Sequence, residues 1–441
     1  MESMKPFRIT LIAVAALTLA QGAAAFDLVD AWRAARDFDV GFSASRHERD
    51  AGQEKAVQGR SRILPQVGLS ANYRHNRPIE PAGLASFNSH GYGVELTQPL
   101  FDVPRYAGYQ KGKTGTRLAN VQFSAAEQQL IVDVARAYFD VLLANDTLAS
   151  VRSAKAAFAK QLEQAKTAFE VGTATITDTY EAQAGFDAAR AREIAAESDL
   201  EVKREALRRL TSLSPDKITP IDEKLALAAP QPAALGEWAT LAEANSLAIK
   251  SDEEQLELAK QDLLEKRGQR LPTVSLAAGY NDTVNNSPAS SLASRQTRGS
   301  AIGVTLSVPL FAGGGLSSQV REAAANELKA RDTLEASRRQ VREDVRRAYL
   351  GVTNGAALVR AQEQLLASSK SKLEATRLGK EVGVRTTLDL LQAEQAYSEA
   401  VRSLAESRYT YLNARLALSQ AAGLLDAARL EEVNRAMLAR R

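Results

Sequence analysis

The chain has 441 residues, 45% hydrophobic and 25% charged, a composition that argues for ordered structure rather than disorder. Lysine and arginine number 56 against 53 for aspartate and glutamate, so the net charge of +3 lacks the basic footprint of a nucleic-acid binder. The absence of cysteine excludes disulfides, thiolate metal sites and a lipid-modified N-terminal Cys, and three histidines (His47, His75, His90) leave little material for a metal centre or a general base.

Residues 1–25 read as a signal peptide: Lys5 and Arg8 give a basic start, an apolar run follows at 10–20, and Ala23, Ala24 and Ala25 offer small residues for cleavage before Phe26. The alternative, a membrane anchor, is disfavoured because the run falls short of the ~20 residues that span a bilayer. No other stretch approaches that length, so the exported chain is expected either to be soluble or to cross a membrane as β-structure.

A first strand pair is expected at about 65–76 and 91–101. In it Val67, Leu69, Ala71 and Tyr73 alternate with polar or small residues, as do Val94 and Leu96. Each stretch is about as long as a tilted transmembrane strand, ~10 residues, and an amphipathic hairpin on a soluble protein is the competing reading. A polar loop lies between His75 and His90. Residues 105–214 contain no proline and are dominated by Ala, Leu, Glu, Gln, Lys and Arg, which predicts one long helix over 105–170. At ~1.5 Å per residue it would extend roughly 100 Å. A turn at Gly172 then reverses the chain into another helix.

The pattern occurs twice. Leu64-Pro65 recurs as Leu271-Pro272, Gly93 to Phe101 as Gly303 to Phe311, Ala137-Tyr138 as Ala348-Tyr349, and Glu170-Val171-Gly172 as Glu381-Val382-Gly383, at separations that drift only from 207 to 211. The first repeat is placed at 26–210 and the second at 237–423, joined by a Pro- and Ala-rich segment at 211–236 and followed by a tail at 424–441. The second repeat is expected to carry strands at about 272–282 and 300–310, a polar loop from Asn281 to Gly299, and a long helix over 316–381, with Gly351, Gly355 and Gly379 marking local irregularities. Beyond Gly383 a heptad seam sets Leu390, Tyr397, Leu404, Tyr411 and Leu418 against Ala393, Ala400, Ser407, Ala414 and Ala421. Phe186, Leu200 and Leu207 beside Ala182, Ala189 and Ala196 echo it in the first repeat.

This order resembles the TolC family of outer-membrane export ducts over nearly the whole chain. The resemblance is carried by the strand-to-helix elbows Gln98-Pro99-Leu100-Phe101-Asp102 and Val308-Pro309-Leu310-Phe311. The turns Val171-Gly172-Thr173-Ala174-Thr175-Ile176-Thr177-Asp178 and Val382-Gly383-Val384-Arg385-Thr386-Thr387-Leu388-Asp389 carry it as well. It implies a mainly helical fold with strands: a homotrimer whose twelve strands close one barrel in the outer membrane of a Gram-negative bacterium, and whose helices form a periplasmic tunnel. It also implies partners, namely a periplasmic adaptor of the membrane-fusion type, an inner-membrane ABC or proton-driven transporter, and outer-membrane lipid. Independently, four strands per chain cannot close a barrel, so at least two chains must share one.

The search for chemistry leaves the chain without an expected cofactor, metal or catalytic residue. Gly112-Lys113-Thr114 mimics the end of a phosphate loop, but Ala107 stands where the motif needs glycine. Gly313-Gly314-Gly315 lacks the following lysine and is expected to relieve crowding where strand becomes helix. No metal-ligand spacing and no Gly-x-Ser-x-Gly motif appear, so no enzymatic activity is expected.

The two turns hold the candidate site. Both read Thr-x-x-Asp at a helix start, the signature of a capping box, and that local reading stays open beside a functional one. The resemblance implies that Asp389 forms a ring of negative charge at the periplasmic entrance. It implies too that Arg385 and Asp178 tie neighbouring coils closed. Gln392 stands where the family often has a second acid, and Lys380 where some members have an aromatic. The function implied is a passive exit duct for proteins or small toxic molecules. A soluble periplasmic coiled-coil scaffold or adaptor without a pore is the alternative.

Overall fold

The computed structural model describes residues 25–77, 85–222, 225–287 and 295–438. The signal-peptide reading of 1–25 therefore lies, apart from Ala25, outside the described residues. In chain order the elements are α1 (Leu28–Phe38), α2 (Val40–Ser61), β1 (Gln66–Asn76), β2 (Phe87–Phe101), α3 (Val103–Glu170), α4 (Ile176–Thr211), a 3-10 turn at Pro215–Lys217, α5 (Leu235–Asn245), α6 (Leu247–Gly268), β3 (Thr273–Asn285), β4 (Gln296–Ser307), α7 (Gly315–Glu381), α8 (Thr387–Ala421) and α9 (Ala427–Met437). Two compact units cut across the sequence repeats. One comprises the N-terminal residues up to Ala44 with 126–246 and 341–441, the other 45–125 and 247–340. Each unit thus draws on both halves of the chain.

The second unit holds a four-stranded antiparallel sheet in the order β1-β2-β3-β4. Directly opposed residues share a face, and the register gathers the apolar ones on one side: Val67, Leu96, Ala278 and Ile302 form one row across all four strands, with Leu69, Val94 and Tyr280 in the next. The other face carries small and polar residues such as Ser70, Gly93, Asn281 and Gly299. The apolar face is uncovered, with Leu69 77% and Ile302 76% exposed. β1 and β4 are the free edges.

Strand boundaries differ from the sequence expectation in a consistent way. β2 begins at Phe87 rather than 91, β3 runs on to Asn285 rather than 282, and β4 begins at Gln296 rather than 300, because cross-strand pairing carries polar residues into the ladder. His90 is consequently a strand residue, as His75 is at the end of β1. β4 stops at Ser307 rather than 310, whereas β2 continues to Phe101; Gln98, Pro99 and Phe101 are held extended by β3 alone, and β4 has no such neighbour. Gly313 and Gly314 adopt φ of 58° and 82°. A Cβ on either would meet nothing within 4 Å, so they serve backbone conformation rather than relief of crowding.

Gly112-Lys113-Thr114 lies inside α3, and its glycine has a packing purpose. A Cβ at Gly112 would fall 2.3 Å from the Lys55 carbonyl oxygen, so α2 and α3 cross at backbone distance there. Thr116 Oγ1 donates to the Gly52 carbonyl at 3.0 Å across the same contact.

In the first unit, α3 and α4 form one helical hairpin and α7 and α8 another. Leu162 and Ala165 pack on Ala182 and Phe186 in the first, and Leu373 packs on Leu390, Ala393 and Tyr397 in the second. Leu391 joins the two by packing with Phe158 and Ala189. Of the heptad residues, Leu390, Leu404, Tyr411, Leu418, Ala393, Ala400 and Ser407 are buried. α7 is unbroken through Gly351 and Gly355, contrary to the expected irregularity. These glycines instead admit α8, since added Cβ atoms would lie 3.4 Å from Ala414 Cβ and 3.6 Å from Tyr411.

Farther along, Phe139 stacks on Tyr409 in the core, and Tyr138 meets both Phe139 and Phe26 edge to face. Tyr409 Oη donates to Asp146 at 2.6 Å, and burial pushes that carboxyl above its ordinary range. Tyr138 donates to the Thr219 carbonyl and Tyr411 to that of Ala228, both at 2.8 Å, which pins the connecting segment to the helices. Asn434 of α9 ties in the N-terminal stretch by accepting from Leu28 N–H at 3.3 Å and donating to Asp27 at 2.8 Å.

Ala400 is 2% exposed, so Ala400→Leu is expected to lower stability by ~1–3 kcal/mol through overpacking. Thermal or denaturant unfolding checks this, and unchanged stability would place residue 400 outside the seam.

Candidate functional site at the helix turns

Both turns are built by one local code. After α3 and α7, Gly172 and Gly383 take φ of 75° and 78°, and a Cβ on either would meet nothing, so glycine is there for the left-handed backbone alone. Thr173 N–H donates to Ala168 O and Val384 N–H to Gly379 O, each at 2.8 Å. Gly172 N–H reaches Phe169 O at 3.0 Å, and Gly383 N–H reaches Lys380 O at 3.1 Å. These are Schellman closures that satisfy the last carbonyls of each helix.

The next helices start with complete capping boxes. Thr175 N–H donates to Asp178 Oδ2 at 2.9 Å while Asp178 N–H donates to Thr175 Oγ1 at 3.2 Å. The corresponding distances for Thr386 and Asp389 are 3.0 and 3.1 Å. Both threonine hydroxyls also donate to the carboxylates, at 2.7 and 3.0 Å. The capping reading therefore holds for both acids. Donation by Thr175 holds the Asp178 carboxyl below the ordinary range, helped by the charge of Lys380. Asp389 is lowered first by the Thr386 N–H, then by its hydroxyl, with the charges of Arg385 and Lys372 adding to it.

Each capping acid has cations near it within its own chain, whereas the tie expected between Arg385 and Asp178 runs between neighbouring chains. Within one chain the cation that acts on Asp178 is Lys380, not Arg385, and Arg385 acts on Asp389 in its own turn. Lys380 is partly buried, and that burial pulls its ammonium below the usual lysine range despite Asp178. Gly379, expected to disturb α7, leaves room for Arg385: a Cβ there would lie 2.7 Å from Arg385 Cγ. Sequence reasoning treated Lys380 only as a departure from a family pattern and missed its proximity to Asp178. Its place three residues before the Gly383 turn was the available signal.

Gln392 is exposed one turn beyond Asp389. It lines a groove of about 880 Å³ between α3, α4 and α8, together with Phe158, Arg192, Glu399 and Arg402. At the elbows, Pro99 and Phe101 belong to β2, and Asp102 starts α3 by accepting from Arg105 N–H at 2.9 Å. Pro309 and Phe311 precede α7 outside regular structure. Among the described residues no cluster of three potential metal ligands occurs, and no helix is long and apolar enough to cross a membrane.

A sheet with one bare apolar face, joined in sequence to two long helical hairpins with matching capped turns, is the build of an outer-membrane duct protein. The Outer membrane efflux protein family matches residues 34–212 and 238–424. The outer membrane protein TolC of Vibrio cholerae is 33% identical over 98% of both chains. The alkaline protease secretion protein AprF of Pseudomonas aeruginosa is 31% identical over 95% of this chain and 88% of its own. The solved outer membrane protein VceC of Vibrio cholerae, at 19% identity, superposes with a TM-score of 0.77 over 90% of this chain and 96% of its own. The chain belongs to the outer membrane efflux protein family, to which the TolC proteins belong. It is an outer-membrane exit duct for efflux or secretion.

The depressed carboxyls give the caps a defined pH dependence. Their folded values lie below the unfolded aspartate value of ~3.9, so the capping contribution is complete above that pH and is lost as pH falls through the lowered folded values. Hydrogen-exchange protection in the first turns of α4 and α8 is expected to hold down to pH ~4 and fall below it. In Asp178→Asn and Asp389→Asn that pH step should disappear from the affected turn.

Proposed function

We propose that three copies of this chain close their strands into one twelve-stranded barrel in the outer membrane, with the helices continuing as a periplasmic tunnel. The sheet carries this reading. Its apolar face is bare and both its edges are free, and a bilayer tolerates neither an open edge nor unsatisfied backbone groups. Known closed barrels begin at about eight strands, so one chain's four must be supplemented. The choice of three chains is drawn from the family resemblance. A soluble scaffold would leave Leu69 and Ile302 in water on a continuous apolar face, which disfavours that alternative.

In this reading the duct is passive. An inner-membrane ABC or proton-driven transporter supplies the energy, a periplasmic adaptor docks the two, and the cargo is protein or small toxic molecules. The capped turns form the periplasmic entrance, where Asp389 contributes a ring of negative charge. Gln392 in place of a second acid moderates cation preference. Arg385 of one chain faces Asp178 of its neighbour, and Lys380 reinforces Asp178 from within the chain. An exposed ion pair contributes ~0–1 kcal/mol; at ~0.5 kcal/mol, three copies bias closure by about tenfold.

Two measurements test this. Light scattering in detergent should give a homotrimer, and a stable monomer with its strand content intact would overturn the shared barrel. In planar bilayers Arg385→Ser should raise open probability up to about tenfold, whereas Asp389→Asn should chiefly reduce cation preference. If both variants conduct like the parent, the acids act as helix caps only and the gate lies elsewhere.

A further inference from the structure

Every connection between the sheet and the helices lies at one end of the strands. α2 runs into β1 and α6 into β3, while β2 and β4 run out toward α3 and α7. The helix ends gathered there carry an excess of positive charge. Residues 55–62 hold Lys55, Arg60 and Arg62 and no acid, and residues 263–270 hold Lys266, Arg267 and Arg270 and one acid, Glu265. That acid is taken by Lys111 of α3 at 3.1 Å, which also holds Asp262 at 2.8 Å. The six other cations form no ion pair among the described residues. The whole chain is close to neutral, with 56 basic against 53 acidic residues, so the excess is local rather than compositional. Arg60 and Arg267 are equivalents in the internal repeat, at the same separation of 207 that relates Val67 to Val274.

Close packing holds these ends together. A Cβ at Gly268 would fall 2.8 Å from Pro104 Cδ, so the end of α6 closes on the start of α3. A Cβ at Gly108 would fall 2.8 Å from Arg62 Nη1, so the Arg62 side chain lies directly on α3. A groove of about 370 Å³ between α2, α3 and α6 is lined by Lys55, Arg62 and Lys111 together with Leu118 and Leu258. Beside the cations, toward the sheet, the side chains are apolar or aromatic and bare: Leu64 is 45%, Leu100 57% and Tyr106 52% exposed. An apolar strand face, then exposed leucine and tyrosine, then unpaired cations is the order of a membrane surface, from acyl chains through the interface to the phosphates.

We infer that these helix ends form a basic collar that binds the phosphate groups of anionic phospholipids in the periplasmic leaflet. A phosphodiester offers a full negative charge and several acceptor oxygens, which the forked donors of Arg60, Arg62, Arg267 and Arg270 match. The acyl chains of the same lipid continue onto the apolar face of the sheet. An acidic protein would answer the cations and leave that adjoining face bare, whereas a phospholipid occupies both. The inference rests on the membrane reading of the sheet and adds the lipid class and the residues that select it.

The test offers equal amounts of dioleoyl-phosphatidylglycerol and dioleoyl-phosphatidylcholine, which share acyl chains and differ in headgroup charge, to the protein in a neutral detergent, and counts retained lipids by native mass spectrometry. Each basic side chain near an anionic surface favours it by about fivefold, so the parent is expected to retain the anionic lipid at least ~tenfold over the other, and added salt should narrow the preference. Arg60→Gln with Arg267→Gln should lower that preference at least ~fivefold, and Arg62→Gln with Arg270→Gln tests the collar independently of how well the first variant folds. Arg331→Gln with Arg339→Gln, an equal loss of charge at exposed positions ~24 Å or more along α7 from its start, should leave the preference unchanged. Equal retention of the two lipids by a parent that needs detergent, an unchanged preference in both collar variants, or the same fall in the α7 variant would overturn the collar and leave the membrane reading standing. Displacement of the bound lipid by millimolar inorganic phosphate would mark a site for the free ion and overturn the lipid assignment. A parent that stays dispersed without detergent would overturn the membrane reading and this inference with it.

Discussion

The backbone N–H and C=O groups along the outer edges of β1 and β4 are the constraint from which the rest of this structure follows. Each strand residue other than proline carries a donor and an acceptor that must be paired wherever water is excluded. Within one chain the pairing is complete between β1 and β2, β2 and β3, and β3 and β4, and ends there. The same strands turn a continuous apolar face outward. Within one chain the sheet is therefore left with two unpaired edges, while the helical part has a core of its own.

That core is organised by size alternation. In α8 the large heptad positions are matched by Ala393, Ala400 and Ser407, so the backbone of a facing helix can come close. Gly351 and Gly355 repeat the device on α7, and Gly112 repeats it in the other unit, where α3 meets α2. Small residues at contact lines let very long helices pair closely, and the aromatic core around Tyr138 and Tyr409 fixes where the connecting segments attach.

How much of this was legible in the sequence depended on whether the cause was local. The long helices, glycine turns, heptad seam and both capping boxes rest on periodicity and short-range chemistry, and each was readable from residues alone. Strand ends were read less well, because cross-strand pairing carries polar residues such as Asn88, Ser89 and Thr297 into the ladder and leaves the Pro309 elbow outside it. The glycines of α7 were misjudged for the same reason: their neighbours, Ala414, Tyr411 and Arg385, come from beyond the turn. At the site the two capping boxes were legible, but the charge of Lys380 acting on Asp178 was not. The charge of Lys380 acts on Asp178 from the other hairpin, and only its place just before the matching Gly383 turn hints at this in the sequence.

The capping role of Asp178 and Asp389 constrains how a duct of this kind can diversify. Each carboxylate closes a helix start, so replacing it disturbs folding whatever it does to passing ions. The flanking positions carry no such burden. Where the second turn has Lys380 and Arg385, the first has Phe169 and Ala174 on an equivalent backbone. Evolutionary drift at the turns is thereby steered toward those neighbours and Gln392. Duplication left one scaffold in two copies, and only the unshackled positions of each are free to acquire separate specialisations.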